Sequence, residues 1–469
     1  MLFTDFRFFF IMPIIFVVYW LIPTRVGWLK RALLLVVSYL LYMNFNPSYA
    51  LLLLIISLFT FFGAKMLENG IVFAGGGKII VVITLIPLLI FKYYNFVNDT
   101  FFEFLSMVHL RFHLPGLNWA IPVGISFFTF QALGYYLDVY HKRISAEKNL
   151  VDYLLFVSFF PQIASGPISK ASELLPQIKN PAAFSYDKAV KGCRFFLWGL
   201  FLKIALADRA GIYVATVLDH YENFSGPNCL FASFLYSIQI YADFAGYSFM
   251  AIGVGKLLGF DLINNFNHPY FSMSVTDFWR RWHISLSRWL KDYVYIPLGG
   301  SRCSKPRNYL NILVTFFVSG IWHGANWTFI VWGAFHGLCQ VIEKSLGLQR
   351  AESKGFIRAL RILITFAIVS FAWIFFRSPS IGDAWNIVCS ILTSYRNMTL
   401  SMVGSDILAY FCIAFIPFIT FEIIHEFYSK LYKKMQEKLF VRWAAYVTIF
   451  SLILLVGVFD GSQFIYANF

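Results

Sequence analysis

Apolar and polar residues follow one another along this chain in long blocks rather than in short alternation. Apolar stretches fall near 7–23, 32–43, 47–64, 79–96, 117–140, 151–165, 194–218, 229–260, 309–340, 359–376, 406–424 and 443–468. A helix that crosses a bilayer needs about 20 predominantly apolar residues, so the pattern predicts an all-α polytopic membrane protein with about 10–12 spans. Several stretches are short or broken by Pro and Gly, as in "FFPQIASGPIS" at 159–169. Non-helical backbone survives at membrane depth only when it is buried in protein or lines a wet cavity. These pieces are therefore expected to point inward, toward a site. No internal repeat, low-complexity tract or soluble appendage interrupts the series. Residues 1–469 read as one integral-membrane domain whose motif-bearing core lies near 117–340.

Composition agrees with the pattern. Of 469 residues, 59% are hydrophobic and 20% aromatic, and only 13% are charged, against roughly 25% in a soluble protein. The net charge is +14. The basic residues gather in short gaps between apolar blocks: Lys344, Arg350, Lys354, Arg358 and Arg361 in one, Lys430, Lys433, Lys434, Lys438 and Arg442 in another. That is the distribution expected of cytoplasmic loops in a multi-pass protein of the cytoplasmic membrane, solvated by lipid. It argues against nucleic acid as a partner. The first basic cluster, Arg25, Lys30 and Arg31, follows the first apolar block, so a retained first span with its N-terminus outside is expected, and the same rule places the C-terminus outside. Cys193, Cys229, Cys303, Cys339, Cys389 and Cys412 show no paired spacing and read as free thiols.

The block 309–340 poses a problem of length. Basic loops flank it on both sides, which places both ends on the cytoplasmic side, yet 32 residues make about 48 Å of helix and two crossings of a core about 30 Å thick need roughly 60 Å plus a turn. Either a re-entrant or steeply tilted element is expected there, or one basic loop breaks the rule.

Candidate chemistry sits in and near that block. "GIWHGANW" places His323 inside an apolar run, with Asn326 one helical turn on and expected on the same face. An ionisable group at membrane depth is a candidate functional residue, and neutral histidine is the usual general base near pH 7. The plainer alternative is a core histidine bonded to a backbone carbonyl. His336 would lie about 220° around and about 20 Å along a continuous helix, and so ranks below His283. His283 belongs to "TDFWRRWHISLSRWLKDYVYIPLGG", 276–300, which reads as an interfacial amphipathic helix anchored by Trp279, Trp282 and Trp289, with Arg288 and Asp292 spaced to pair. In "QIYADFAGYSFMAIG", Gln239 and Asp243 are polar points among small residues, suited to close helix packing or to lining a channel. Gln131 and Asp138 read likewise in 122–140, with a structural role favoured. No compact Cys/His spacing suggests a metal, and no G-x-S-x-G elbow is present.

The ordered set "PVGISFFTFQALGYYLDVY", "FFPQIASGPIS", "QIYADFAGYSFMAIG", "FWRRWHISLSRWLKDYVYIPLGG" and "SGIWHGANWTFIVWGAFHG" resembles the membrane-bound O-acyltransferases, in particular the bacterial branch of alginate O-acetylation and teichoic-acid D-alanylation. The likeness runs from residue 1 to about 378; the remainder carries no motif of this kind. It implies a multi-helical bundle with a central funnel or tunnel and re-entrant segments. It also implies His323 of Trp322-His323-Gly324 as the essential histidine and His283 as a second polar position. Trp322, Asn326, Asp243, Gln239 and Arg281 become candidate substrate- or tunnel-lining residues. The expected activity moves an acyl group, acetyl in preference to D-alanyl, from acetyl-CoA or an acyl-carrier thioester to an extracytoplasmic polysaccharide through a secreted transferase partner, with no bound cofactor or metal. A lipid acyltransferase of the same family and a flippase of glycan precursors are the alternatives; the flippase calls for internal repeats that are not seen.

Overall fold

The computed structural model describes residues 3–71, 74–109, 114–350, 353–394 and 405–459, and every regular element among them is helical. The first group is α1 (Phe6–Leu21), α2 (Gly27–Met43), α3 (Pro47–Glu68) and α4 (Ala74–Met107). Shorter pieces follow: α5 (Ile125–Tyr140), α6 (Leu150–Ser158), α7 (Phe160–Ile163) and α8 (Ala171–Lys179). The centre holds α9 (Tyr186–Leu200), α10 (Asp208–Leu218), α11 (Gly226–Leu257), α12 (Val275–Arg281), α13 (Ile284–Leu290), α14 (Lys305–His323) and α15 (Trp327–Ser345). The chain closes with α16 (Gly355–Arg377), α17 (Ile381–Thr393), α18 (Ser405–Phe427), α19 (Ser429–Glu437) and α20 (Leu439–Val456).

Among the described residues, α2, α3, α4, α16, α18 and α20 are long and apolar enough to cross a membrane. They expose large apolar side chains such as Leu51, Ile55, Val82, Leu363, Ile416 and Leu455, as a lipid-facing surface must. The chain is thus a multi-pass membrane protein. The long α11 is enclosed by other helices over most of its length and packs on α9, α10, α16 and α17. Its small residues permit this: a Cβ at Gly199 of α9 would lie 2.4 Å from the carbonyl oxygen of Gly246. The Pro/Gly-broken stretch is buried throughout 155–169, and Gln162 donates to the carbonyl of Pro167 at 2.7 Å, satisfying backbone that no helix ladder reaches.

The block 309–340 is not one tilted element. It is the inner part of a helical hairpin, α14 and α15, broken at 324–326. The hydrophobic count set its limits too narrowly, because both helices run on into polar flanks. Each is 19 residues, about 28 Å at 1.5 Å per residue, so the chain runs out along α14 and returns along α15. Both basic ends then share one side, where Lys344 donates to the Asn308 side chain. The apex reaches the far end of α16, where Asn326 donates to the Pro379 carbonyl at 2.7 Å.

The segment 276–300 also departs from expectation. Trp279, Trp282 and Trp289 are core residues rather than interfacial anchors, and Trp289 stacks on Phe130 with ring centroids 3.9 Å apart. Arg288 and Asp292 do not pair with each other. The α-helix gives way to a π-helical stretch, Lys291–Tyr295, which alters the spacing; Arg288 pairs with Glu173 at 2.6 Å and Asp292 with Lys170.

Arg358, at the start of α16, and Glu426, at the end of α18, are 3.3 Å apart, so the two basic loops lie at one end of the bundle. In a cysteine-free background, cysteines placed at Lys354 or Lys434 are expected to resist a membrane-impermeant thiol reagent applied outside the cell. Rapid labelling there would invert the orientation. The N-terminal residues 1–2 and the C-terminal residues beyond 459, on which the expected exterior termini rest, lie outside the described residues.

Candidate active site

The hairpin apex places His323. Two glycines let its arms meet, since a Cβ at Gly320 would lie 2.4 Å from the carbonyl oxygen of Phe329 and one at Gly333 2.4 Å from that of Phe316. Gly324, fully extended, passes under the Phe329 ring, where a Cβ would come within 2.1 Å. Breaking α14 at His323 strands its last carbonyls. Two residues of α4 meet them: Lys92 donates to the Trp322 carbonyl at 2.5 Å and Tyr93 to that of Ile321. Lys92 is buried and lies 5.7 Å from the centroid of the Trp322 ring.

Asn326 does not share a helix face with His323. It is the N-cap of α15, accepting from the Thr328 amide at 3.0 Å, because the helix has ended three residues earlier. His336 changes rank for the same reason. The turn folds α15 back on α14, and no continuous helix separates the two histidines.

His283, His323 and His336, each at most 1% exposed, form a ladder with two tryptophans. Ring centroids lie 5.8 Å apart for His283 and Trp322, 4.9 Å for Trp322 and His323, 4.9 Å for His323 and Trp332, and 5.1 Å for Trp332 and His336. Phe376 of α16 closes over His323 at 5.3 Å.

His283 is the N-cap residue of α13 with φ +43, and its Nδ1 lies 3.2 Å from Oδ1 of Asn265. That oxygen also accepts from the Ser285 amide and hydroxyl, both at 3.0 Å, so it acts as acceptor and His283 Nδ1 as donor. The Nε2 lone pair is then left exposed to the ladder, and Nε2 has no hydrogen-bond partner among the described residues. The indole N–H groups of Trp322 and Trp332 are likewise buried without a partner. A buried donor without a partner is costly, and such a site is suited to an oxygen supplied by substrate.

The other expected lining residues lie apart from the ladder. Asp243 pairs with Lys203 at 2.8 Å, while the next residue, Phe244, meets His283 with centroids 4.7 Å apart; successive residues of α11 point in different directions. Gln239 faces Gly211 of α10. Arg281 bonds Asp277 at 3.2 Å and Glu426 at 3.0 Å, tying α12 to α18. Gln131 and Asp138 are buried and engaged, with the Phe156 carbonyl and with Arg143.

Lys92 and Asn265 escaped the sequence reading. A lone lysine inside the apolar block 79–96 was the available signal for the first, by the rule applied to His323. The second sits in the polar run "NNFNH", with nothing in the spacing to tie it to His283.

Comparison with known proteins places the chain in a family. The profile of the MBOAT, membrane-bound O-acyltransferase family, matches residues 139–382. The chain is 35% identical over 424 residues to the "Probable alginate O-acetylase AlgI" of Pseudomonas aeruginosa, covering 87% of this chain and 79% of that protein. It is 37% identical over 327 residues to the "Peptidoglycan O-acetyltransferase" of Helicobacter pylori, covering 64% of this chain and 61% of the relative. A "Teichoic acid D-alanyltransferase" of Streptococcus thermophilus is 31% identical over 294 residues, 56% of this chain and 69% of its own length. The matched region contains all three ladder histidines, and the chain belongs to the membrane-bound O-acyltransferase family of acyltransferases.

Proposed function

We propose that this chain carries an acetyl group from a thioester donor in the cytoplasm, acetyl-CoA or an acyl-carrier thioester, to hydroxyl groups of an extracytoplasmic polysaccharide, together with a secreted transferase. The site lies in the cytoplasmic membrane. The observation that carries the reading is His323 at the apex of a broken hairpin, enclosed by aromatic rings and flanked by unpaired buried donors. Identities of 35% and 37% toward the relatives named for O-acetylation, against 31% toward the one named for D-alanylation, favour acetyl.

In this mechanism His323 takes the proton of the attacking hydroxyl as its oxygen adds to the thioester carbonyl. The indole N–H groups of Trp322 and Trp332 stabilise the oxyanion, and its collapse expels the thiolate, which takes up a proton. The enclosing rings keep water from the thioester. His283 Nε2 supplies a second acceptor for positioning or relay. The test is chemical: cells lacking the chain, compared with complemented cells, are expected to lose base-labile acetate from envelope polysaccharide. Loss of ester-linked D-alanine with acetate unchanged would reverse the acetyl assignment.

Donor binding separates two neighbouring arginines. Arg281 is committed to two carboxylates, whereas Arg280 is exposed and makes no ion pair among the described residues. Arg280→Ala is expected to raise the KM for the thioester roughly tenfold, the effect of losing about 1.4 kcal/mol. Arg281→Ala is expected to lower thermal stability instead. Steady-state kinetics with thermal unfolding on both variants distinguishes the two roles.

A further inference from the structure

A cavity of about 710 Å³ lies among α9, α11, α18, α19 and α20, outside the histidine ladder. Its interior is apolar, with Phe249, Phe421 and Ile449, while Lys191, Arg194 and Arg442 supply three cations and no Asp or Glu lines it among the described residues. Neither arginine has a carboxylate partner among those residues; the Arg194 guanidinium reaches only Gln436, at 3.5 Å, and lies over the Tyr446 ring. Four buried polar atoms on this wall lack a hydrogen-bond partner among the described residues: Nε of Arg194, Nε of Arg442, Nε1 of Trp198 and the hydroxyl of Tyr446. Three of these are donors that cannot accept, and the fourth can donate, so the complementary group is an anion rich in acceptor oxygens. Glu422 of α18 bonds Tyr241 at 3.2 Å and His268 at 2.9 Å and forms no ion pair with either arginine among the described residues.

Position narrows the ligand further. Tyr432 and Met435 of α19 also line the cavity, from a short helix without a buried residue that carries Lys430, Lys433 and Lys434. It lies at the end of the bundle assigned to the cytoplasm, where the leaflet is anionic. We infer that this cavity is a binding site for an anionic phospholipid, with the phosphate held by Arg194, Arg442 and Trp198 and an acyl chain in the apolar interior. A soluble phosphate or a phosphorylated donor shares the headgroup chemistry but has no long chain for that interior.

The test is native mass spectrometry of the full chain in mild detergent, titrated with phosphatidylglycerol and with phosphatidylcholine of matched chains. One phosphatidylglycerol is expected to be retained in preference to phosphatidylcholine. The Arg194→Gln, Arg442→Gln double variant is expected to bind it roughly 30-fold more weakly, equivalent to about 2 kcal/mol. Ala445→Trp, which fills the cavity and removes no charge, should reduce retention as well and keeps the test decisive if the double variant fails to fold. Equal retention of the two lipids, unchanged retention in a folded double variant or in Ala445→Trp, or displacement of the lipid by inorganic phosphate or coenzyme A would each overturn the assignment. Acyl transfer plays no part in the readout, so the result is independent of the proposed activity.

Discussion

His323→Ala is expected to lower polysaccharide acetylation by about 10²–10⁴-fold, the range that a positioned acid–base group contributes, while the protein reaches the membrane in normal amount. The separation is expected because the hairpin is held by other means. Gly320 and Gly333 let its arms close, Asn326 caps α15, and Lys344 joins the basic ends. Removing the imidazole leaves an aromatic pocket walled by Trp322, Trp332 and Phe376 without disturbing those ties. His283→Ala should impair turnover less, because its Nδ1 is occupied with Asn265 and only Nε2 is available to a substrate. His336→Ala tests whether the ladder ends in chemistry or in packing. A loss in kcat with unchanged thermal stability would give it a chemical role, and lower stability with unchanged kcat a packing role.

The second large effect is expected at a residue of α4. Lys92→Met preserves the length of the side chain and removes the donor that meets the Trp322 carbonyl, one peptide from His323. The stranded carbonyl should cost about 1–3 kcal/mol, partly offset because a buried polar amine is replaced by an apolar chain. Stability is therefore expected to change little. The position of the imidazole should change more, since the end of α14 loses its Lys92 tie and keeps that of Tyr93. Lys92 acts here as a positioning residue: kcat should fall at least about tenfold with donor KM unchanged, and Lys92→Arg should restore part of it. A parallel loss of stability and abundance, with kcat per folded molecule intact, would make Lys92 purely structural.

Much of the site was legible as a set of polar residues in places where lipid forbids them. His323 stood out because an imidazole in an apolar run must be enclosed by protein, and the Pro/Gly-broken stretch at 159–169 is buried as the same reasoning requires. The path between the polar residues was not legible. Hydropathy marks where apolar residues begin, not where helices begin. α14 starts at Lys305 and α15 ends at Ser345, outside the apolar block, and this difference hid the hairpin. Nor does an apolar side chain reveal whether it meets lipid or protein. Trp279 and Trp282 in a basic segment therefore resembled interfacial anchors, although they pack against Trp332 and Trp373. Asp243 looked similar to His323 in sequence, yet a lysine forty residues earlier, Lys203, takes up its charge. Charge pairing of that kind depends on tertiary contact, which spacing along the chain does not encode.

The central claim is that an acetyl group passes from one side of the membrane to the other by way of His323. Purified chain is reconstituted in vesicles with polysaccharide oligomers and the extracytoplasmic protein fraction enclosed, and orientation is set by accessibility of the Lys354 and Lys434 loops to the outside. Labelled acetyl thioester is then supplied outside, and ester on the enclosed oligomers is measured. Labelled ester is expected with the wild-type chain and none above background with His323→Ala. Equal ester formation by the His323→Ala protein, or ester formed only when thioester and oligomer share a compartment, would contradict the account.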